Sequence, residues 1–275
     1  MEFYGLLGEH LSHSLSGEIQ NFLYPLLRLN AAYKLIEIPP DDIALALSGM
    51  KVLQLKGLNV TIPYKQQVIP HLDHLSHEAK RIGAVNTVHR EGKTLTGYNT
   101  DYYGFGSMLE DNKIEVSGKI AMVLGYGGVS KAILTYLLDH DIQTIYLVTR
   151  KKNQITEQFD PRIVLKDYGE IESLTGEILI NCTPVGMYPA THQSPVDQQI
   201  VEHFTAVVDL IYNPKQTTLL QYAQLQNKVN CGGLDMLIYQ ALKAVEIWEG
   251  ITIPSEISSI LIKKFENTFN IESNE

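Results

Sequence analysis

Residues 119–124 read Lys-Ile-Ala-Met-Val-Leu, an almost unbroken apolar run, and Gly125-Tyr126-Gly127-Gly128 follows without a spacer. A run of that kind suits a parallel strand buried on both faces. Beyond the glycines, Val129, Ala132, Ile133, Tyr136 and Leu137 recur on one helical face, and residues 144–149 supply a second strand. Strand, glycine turn, helix and strand make a βαβ unit, which commits this part of the chain to a parallel sheet. Further strand candidates at 177–181, 206–210 and 228–230 continue the alternation and predict a doubly wound sheet covered by helices.

The remaining residues form a different pattern. At 275 residues the chain is long enough for two domains of ordinary size. Residues 3–7 read as a buried strand, 33–38 alternate as a half-buried one, and 55–60 give a third. Ile19, Phe22, Leu23 and Leu26 mark a helix between the first two. Thr61-Ile62-Pro63 reads as the opening of another, since proline is tolerated in a first turn. Residues 85–89 and 93–96, joined through Glu91-Gly92, predict a hairpin, and 102–110 a helix. Amphipathic helices near 235–248 and 255–265 are expected to return to the first domain. The expected division is 1–103, with helices from 236–275 packed on it, against 104–235.

Composition removes several function classes. No run of 18 apolar residues crosses a bilayer, and Met1-Glu2-Phe3-Tyr4-Gly5 lacks the basic start of a secretory signal. Cys182 and Cys231 cannot build a disulfide framework, which fits a reducing cytoplasm. A net charge of -9 argues against sequence-independent nucleic-acid binding, so an anionic ligand needs a local basic site. Nothing in the sequence fixes the assembly, and a homodimer is one admissible form.

The glycine turn is the place for a dinucleotide. Gly125, Gly127 and Gly128 let backbone approach a pyrophosphate, and the helix start at Val129 offers free N–H groups, although Ser130 holds the position of a third glycine. At the end of the next strand, NAD enzymes place an acid on the ribose; here stand Thr149, Arg150, Lys151 and Lys152. An arginine fork suits a 2′-phosphate, so NADP is favoured over NAD; on these residues alone a solvated charged turn remains the alternative.

Two polar patches interrupt the first domain where strands give way to predicted helices: Asn59-Val60-Thr61-Ile62-Pro63-Tyr64-Lys65 and Gly97-Tyr98-Asn99-Thr100-Asp101. In a first helical turn the macrodipole disfavours a Lys65 ammonium and favours an Asp101 carboxylate. If the two meet, Asp101 orients Lys65 and the pair moves a proton as a hydride leaves the neighbouring carbon. A surface lysine and a capping aspartate is the other reading the residue types leave open.

The chain resembles the shikimate dehydrogenase family across nearly its whole length, through motifs in the correct order. Asn59 to Lys65 is similar to the family's Asn-Val-Thr-x-Pro-x-Lys, which implies Lys65 as catalytic lysine and Thr61 as a substrate contact. Asn99-Thr100-Asp101-x-x-Gly104 resembles the stretch carrying its catalytic aspartate. Ser14 and Ser16 match serines that hold the substrate carboxylate, and Asn86, in Gly83-Ala84-Val85-Asn86-Thr87, a ligand of a substrate hydroxyl. Asn181-Cys182-Thr183-Pro184-x-Gly186-Met187 and Asp209-Leu210-x-Tyr212-Asn213-Pro214 resemble the stretches lining the nicotinamide, with Tyr212 near the substrate carboxylate. Gly233, Met236 and Gln240 resemble the last cofactor and substrate contacts.

The resemblance implies a mixed α/β substrate domain, a Rossmann-type NADP domain, and reduction of 3-dehydroshikimate to shikimate. A quinate or dual-specificity dehydrogenase is the nearest rival, and a silent NADP-binding sensor a more distant one that need keep neither Lys65 nor Asp101. The family's Ser-Pro-x-x-His-Asn is Ser16-Gly17-Glu18-Ile19-Gln20-Asn21 here, and its Asn-Arg-Thr is Thr149-Arg150-Lys151.

Overall fold

Hydrophobic periodicity sorts this chain into two sheets of different kinds. The computed structural model describes residues 1–271. It divides into one unit of Met1–Gly104 with Ile238–Leu261, and a second of Phe105–Leu237 with the residues from Ile262 on.

The first unit holds a mixed sheet. Strands β1 (Glu2–Gly8), β2 (Ala31–Glu37) and β3 (Gly57–Val60) run parallel, with β1 in the middle. Next come β4 (His74–Leu75) and the antiparallel pair β5 (Thr87–Glu91) and β6 (Thr94–Tyr98), giving the order β2-β1-β3-β5-β6-β4. Helices α1 (Ser16–Leu26), α2 (Ile43–Val52) and α3 (His77–Ile82) belong to the same unit. Leu7, Leu47, Met50, Leu58, Val60, Val85 and Val88 form its core. The predicted hairpin is present, one to two residues later than its periodicity suggested.

No helix opens at Thr61. Residues 62–68 form turns, with a cis Ile62–Pro63 bond, and end in a short 3-10 segment at Ile69–His71. The cause is tertiary: the Lys65 carbonyl, which a helix would bond locally, accepts from Val85 N–H at 2.7 Å. Tyr64 and Val68 are fully buried by the same turn. The helix-dipole argument for Lys65 therefore falls, while that for Asp101 stands, in the first turn of α4 (Thr100–Asp111).

In the second unit β7 (Ile120–Leu124), α5 (Gly128–Asp139) and β8 (Thr144–Val148) are the predicted βαβ unit. Strands β9 (Ile163–Lys166), β10 (Ile178–Asn181), β11 (Ala206–Asp209) and β12 (Val229–Gly232) complete the parallel order β12-β11-β10-β7-β8-β9. Chain order reverses on either side of β7, which opens a crevice at the C-terminal ends of the strands. Two connections carry α6 (Gln198–Glu202) and α7 (Thr218–Leu225). Edge strand β9, only four residues long and half-exposed, was too short to show a period in the sequence.

The described residues end with α8 (Gly233–Glu249) and α9 (Ser255–Ile271). In the first unit, Trp248 stacks on Tyr4 at 4.7 Å and donates from Nε1 to the Val88 carbonyl at 3.0 Å, while Lys56 pairs with Glu249 at 2.7 Å. An aromatic of that size, 1% exposed with its polar atom bonded, fixes this stretch firmly.

Candidate active site

In the first unit the two polar patches meet. Lys65 Nζ lies 2.6 Å from Asp101 Oδ2, with side-chain exposures of 18% and 5%. The lysine leaves a turn after β3 and the aspartate opens α4, so 36 residues of sequence separation close into one charge-assisted pair. Asp101 is held from behind. Its N–H donates to Asn99 Oδ1 at 3.1 Å, and Asn99 Nδ2 donates to the Ala84 carbonyl at 3.0 Å. Asn86, buried on the turn before β5, accepts from Thr100 N–H at 2.7 Å, next to the dyad.

The other expected substrate contacts in this unit make no side-chain hydrogen bond to this cluster among the described residues. Ser14 and Ser16 flank the start of α1, where Ser16 N–H donates to Ser14 Oγ at 3.3 Å. Thr61, the residue after β3, is half-buried, with its N–H on the Leu7 carbonyl. Gln240 is half-buried on α8. The altered stretch after Ser16 still builds α1: Gln20 donates to the Ala241 carbonyl at 3.2 Å, and the Asn21 amide brackets the Tyr33 backbone in β2.

In the second unit, Gly125 has φ of +94°, and a Cβ there would stand 2.7 Å from Thr183 Cγ2, so both conformation and packing demand glycine. A Cβ on Gly127 or Gly128 would meet nothing within 4 Å. That open space lies over the first turn of α5, whose N–H groups at Gly128 and Val129 have no partner within the helix. A diphosphate fits this cradle. Ser130, in place of the third glycine, is fully buried and turns its hydroxyl back onto Gly127, 2.8 Å from both N and O.

Beside the cradle, Leu124 pairs with Val148, so Thr149, Arg150 and Lys151 leave β8 at the same sheet edge as the glycine turn. Thr149 is buried and accepts from Lys151 N–H at 3.2 Å. Arg150 and Lys151 are exposed and form no ion pair among the described residues, whereas Lys152 is paired with Glu170 at 2.6 Å. Two uncommitted cations suit a terminal phosphate.

The loops after β10 and β11 are tied by a polar chain. Asn181 Nδ2 donates to Asp209 Oδ1 at 3.0 Å, Thr217 donates to Asp209 Oδ2 at 2.7 Å, and Thr183 donates to Asn181 Oδ1 at 2.7 Å. Burial pushes the Asp209 carboxyl up to about 6 against its three donors, the Thr217 hydroxyl, the Ile211 N–H and the Asn181 amide. Leu210 follows directly, and Gly233 allows α8 to start against it: a Cβ on Gly233 would lie 2.1 Å from the Leu210 carbonyl oxygen. Met236 is buried in α8; Tyr212 is half-buried, and burial raises its hydroxyl above the usual tyrosine range. Burial pushes the Cys231 thiol up to about 12 and Cys182 higher still, which disfavours the thiolate at both. Asp209, Thr217 and Thr100 were not singled out in the sequence as site residues; each sits inside or beside a quoted motif, but only the fold shows what it holds.

A glycine turn at the switch point of a parallel sheet, with a largely buried lysine–carboxylate pair in the other unit, is the equipment of a dinucleotide-dependent dehydrogenase. Residues 6–88 match the family described as the shikimate dehydrogenase substrate binding domain, and residues 233–257 the shikimate 5′-dehydrogenase C-terminal domain. A shikimate dehydrogenase (NADP(+)) of Clostridium beijerinckii is 49% identical over 269 residues, covering 98% of this chain and all of that one. Shikimate dehydrogenase 1 of Peptoclostridium difficile is 43% identical with a TM-score of 0.88, covering 98% and 99% of the two chains. The Thermus thermophilus shikimate 5-dehydrogenase, solved with NADP(H) and shikimate, is 30% identical with a TM-score of 0.85 over 96% of this chain and 99% of that one. This chain belongs to the shikimate dehydrogenase family.

Proposed function

We propose that this chain reduces 3-dehydroshikimate to shikimate with NADPH, reversibly, as a step of aromatic amino acid (chorismate) biosynthesis. The observation that carries the chemistry is the 2.6 Å contact between Lys65 Nζ and Asp101 Oδ2 in a largely buried setting. The bound dinucleotide supplies the hydride. Lys65 gives a proton to the alkoxide that develops from the ring ketone, so the carbonyl becomes a secondary alcohol and atoms and charge balance. Asp101, neutralising and aiming the ammonium, holds Lys65 on that oxygen; in the oxidative direction the lysine takes the proton back.

The first unit is assigned the substrate and the second the cofactor. Ser14 and Ser16 take the carboxylate, and Thr61, Asn86 and Gln240 the ring oxygens. Gly125, Gly127, Gly128 and Val129 take the diphosphate, Thr149, Arg150 and Lys151 the 2′-phosphate, and Leu210, Gly233 and Met236 the nicotinamide end. The open cradle and the two uncommitted cations support this, and charge-assisted contacts from a planar guanidinium favour a phosphate over two ribose hydroxyls. A cytoplasmic location belongs to the same proposal, supported by two free cysteines. NADP and NAD reduction, each measured with shikimate and quinate side by side, tests the reading; preference for quinate or for NAD would overturn it.

A further inference from the structure

In the network around Asn86 the Thr87 and Thr100 hydroxyls lie 3.3 Å apart and either can donate to the other, but the amide orientations are forced. Two backbone groups set them. Thr100 N–H can only donate, and it meets Asn86 Oδ1 at 2.7 Å. The Asn86 carbonyl can only accept, and it takes Asn59 Nδ2 at 3.3 Å. With Asn59 so oriented, the Tyr33 hydroxyl donates to its Oδ1 at 2.7 Å. Asn59 Nδ2 also donates to Thr87 Oγ1 at 3.0 Å, so the Thr87 proton is free to go to Asn86 Oδ1, 3.1 Å away. Thr100 Oγ1 approaches the same oxygen at 3.2 Å. Thr87 and Thr100 are fully buried and Asn86 is 4% exposed, so water cannot reassign these roles.

We infer that Thr87 and Thr100 are positioning residues that lock Asn86 as a pure donor, and thereby select a substrate bearing a lone pair at that place. This rests on the proposed reading of Asn86 as a substrate contact. Thr100 N–H forbids the flipped amide, whose NH2 would face a group that can only donate, and the two threonine hydroxyls complete the shell around Oδ1. Nδ2 is then the only group Asn86 can offer, and it has no partner among the described residues. A hydroxyl or carbonyl oxygen accepts from it; an ammonium at the same ring position has nothing to accept with and is rejected. Thr100 is also the residue before Asp101, whose N–H is held by Asn99. One stretch of backbone thus aims both the reading of a ring oxygen and the carboxylate of the dyad.

The test is the Thr87→Val/Thr100→Val variant, which keeps shape and removes both hydroxyls. Shikimate Kd by calorimetry and shikimate KM are expected to rise about tenfold, the size of one or two lost hydrogen bonds. NADP Kd should stay unchanged and kcat fall less than KM rises, because Thr100 N–H remains. Serine at both positions should restore affinity. Among shikimate analogues each lacking one ring hydroxyl, the valine penalty should vanish for one only. An equal penalty for every analogue, or none in a variant whose thermal unfolding is intact, overturns the inference. If the double variant does not fold, Thr100→Val alone is read against the same analogues. Asn86→Ala separates the two layers: unchanged shikimate affinity would remove the contact itself, whereas a loss there without a loss in the valine variants would remove only the lock.

Discussion

The dyad and the cofactor cluster use opposite strategies to hold charge. Lys65 and Asp101 lie in a turn and a helix start whose polar atoms are bonded to each other and to backbone, and the carboxylate is 5% exposed. Arg150 and Lys151 follow the end of β8, exposed and with no ion-pair partner among the described residues. The difference teaches where each energy comes from. A proton must be delivered to one atom, which needs a geometry fixed before substrate arrives. A phosphate needs only to be attracted and forked, and uncommitted, hydrated side chains do that at little reorganisation cost. Substitutions in the first region should therefore act on kcat, and those in the second on cofactor affinity, with a salt dependence.

The sharpest break in that comparison comes from Lys65→Ala. Loss of a positioned general acid is expected to lower kcat about 1000-fold. NADP Kd, read by fluorescence titration, should not change. Turnover within tenfold of the parent would show that the proton comes from elsewhere and that the buried pair is structural.

Asp209 tests whether the second unit also contains a prewired region. Its folded value of about 6 stands above the ordinary 3.8, so the unfolded chain gives up that proton first. The stabilisation is complete below about pH 4 and is lost as pH rises to about 6, a swing on the order of 2–3 kcal/mol. In Asp209→Asn that fall should be absent from the pH profile of urea-unfolding free energy. A parallel profile in parent and variant would mean the three donors keep the carboxylate ionised across the range.

Next in size is Arg150→Ala, expected to raise NADP Kd about 30-fold and leave NAD within about twofold, as a charge-assisted phosphate contact implies. The gap should narrow at high salt. Equal losses for the two cofactors would place Arg150 on a part they share.

Much of this was legible in the sequence, for identifiable reasons. The βαβ unit showed itself because a strand buried on both faces leaves a continuous apolar run, and a glycine turn cannot be replaced where φ is +94°. Lys65 and Asp101 were visible as motif residues. Their environment was not: the helix expected from Thr61-Ile62-Pro63 is displaced by the Val85 N–H that takes the Lys65 carbonyl, a contact between residues 20 apart in sequence. The Tyr33–Asn59–Thr87–Asn86–Thr100 chain was likewise hidden, since Tyr33 carries no mark beyond its place in an alternating strand.

The smallest effect is the one that tests whether the cationic cluster is aimed or diffuse. Lys152 belongs by sequence to the same basic run as Arg150 and Lys151, yet its Nζ is 2.6 Å from Glu170 Oε2, and that oxygen also accepts from Asp167 N–H at 2.7 Å. The pair is partly exposed, at 33% and 40%, so breaking it should cost well under 1 kcal/mol of stability. If recognition depends on side chains free to fork a phosphate, Lys152→Ala should change NADP Kd by less than about twofold. If instead the whole run acts as a field, removing any one of its charges should weaken NADP to a similar extent and with a similar salt slope. Measured beside Arg150→Ala in the same buffers, a matching loss for Lys152→Ala would reduce the contrast between the two regions to one of exposure alone.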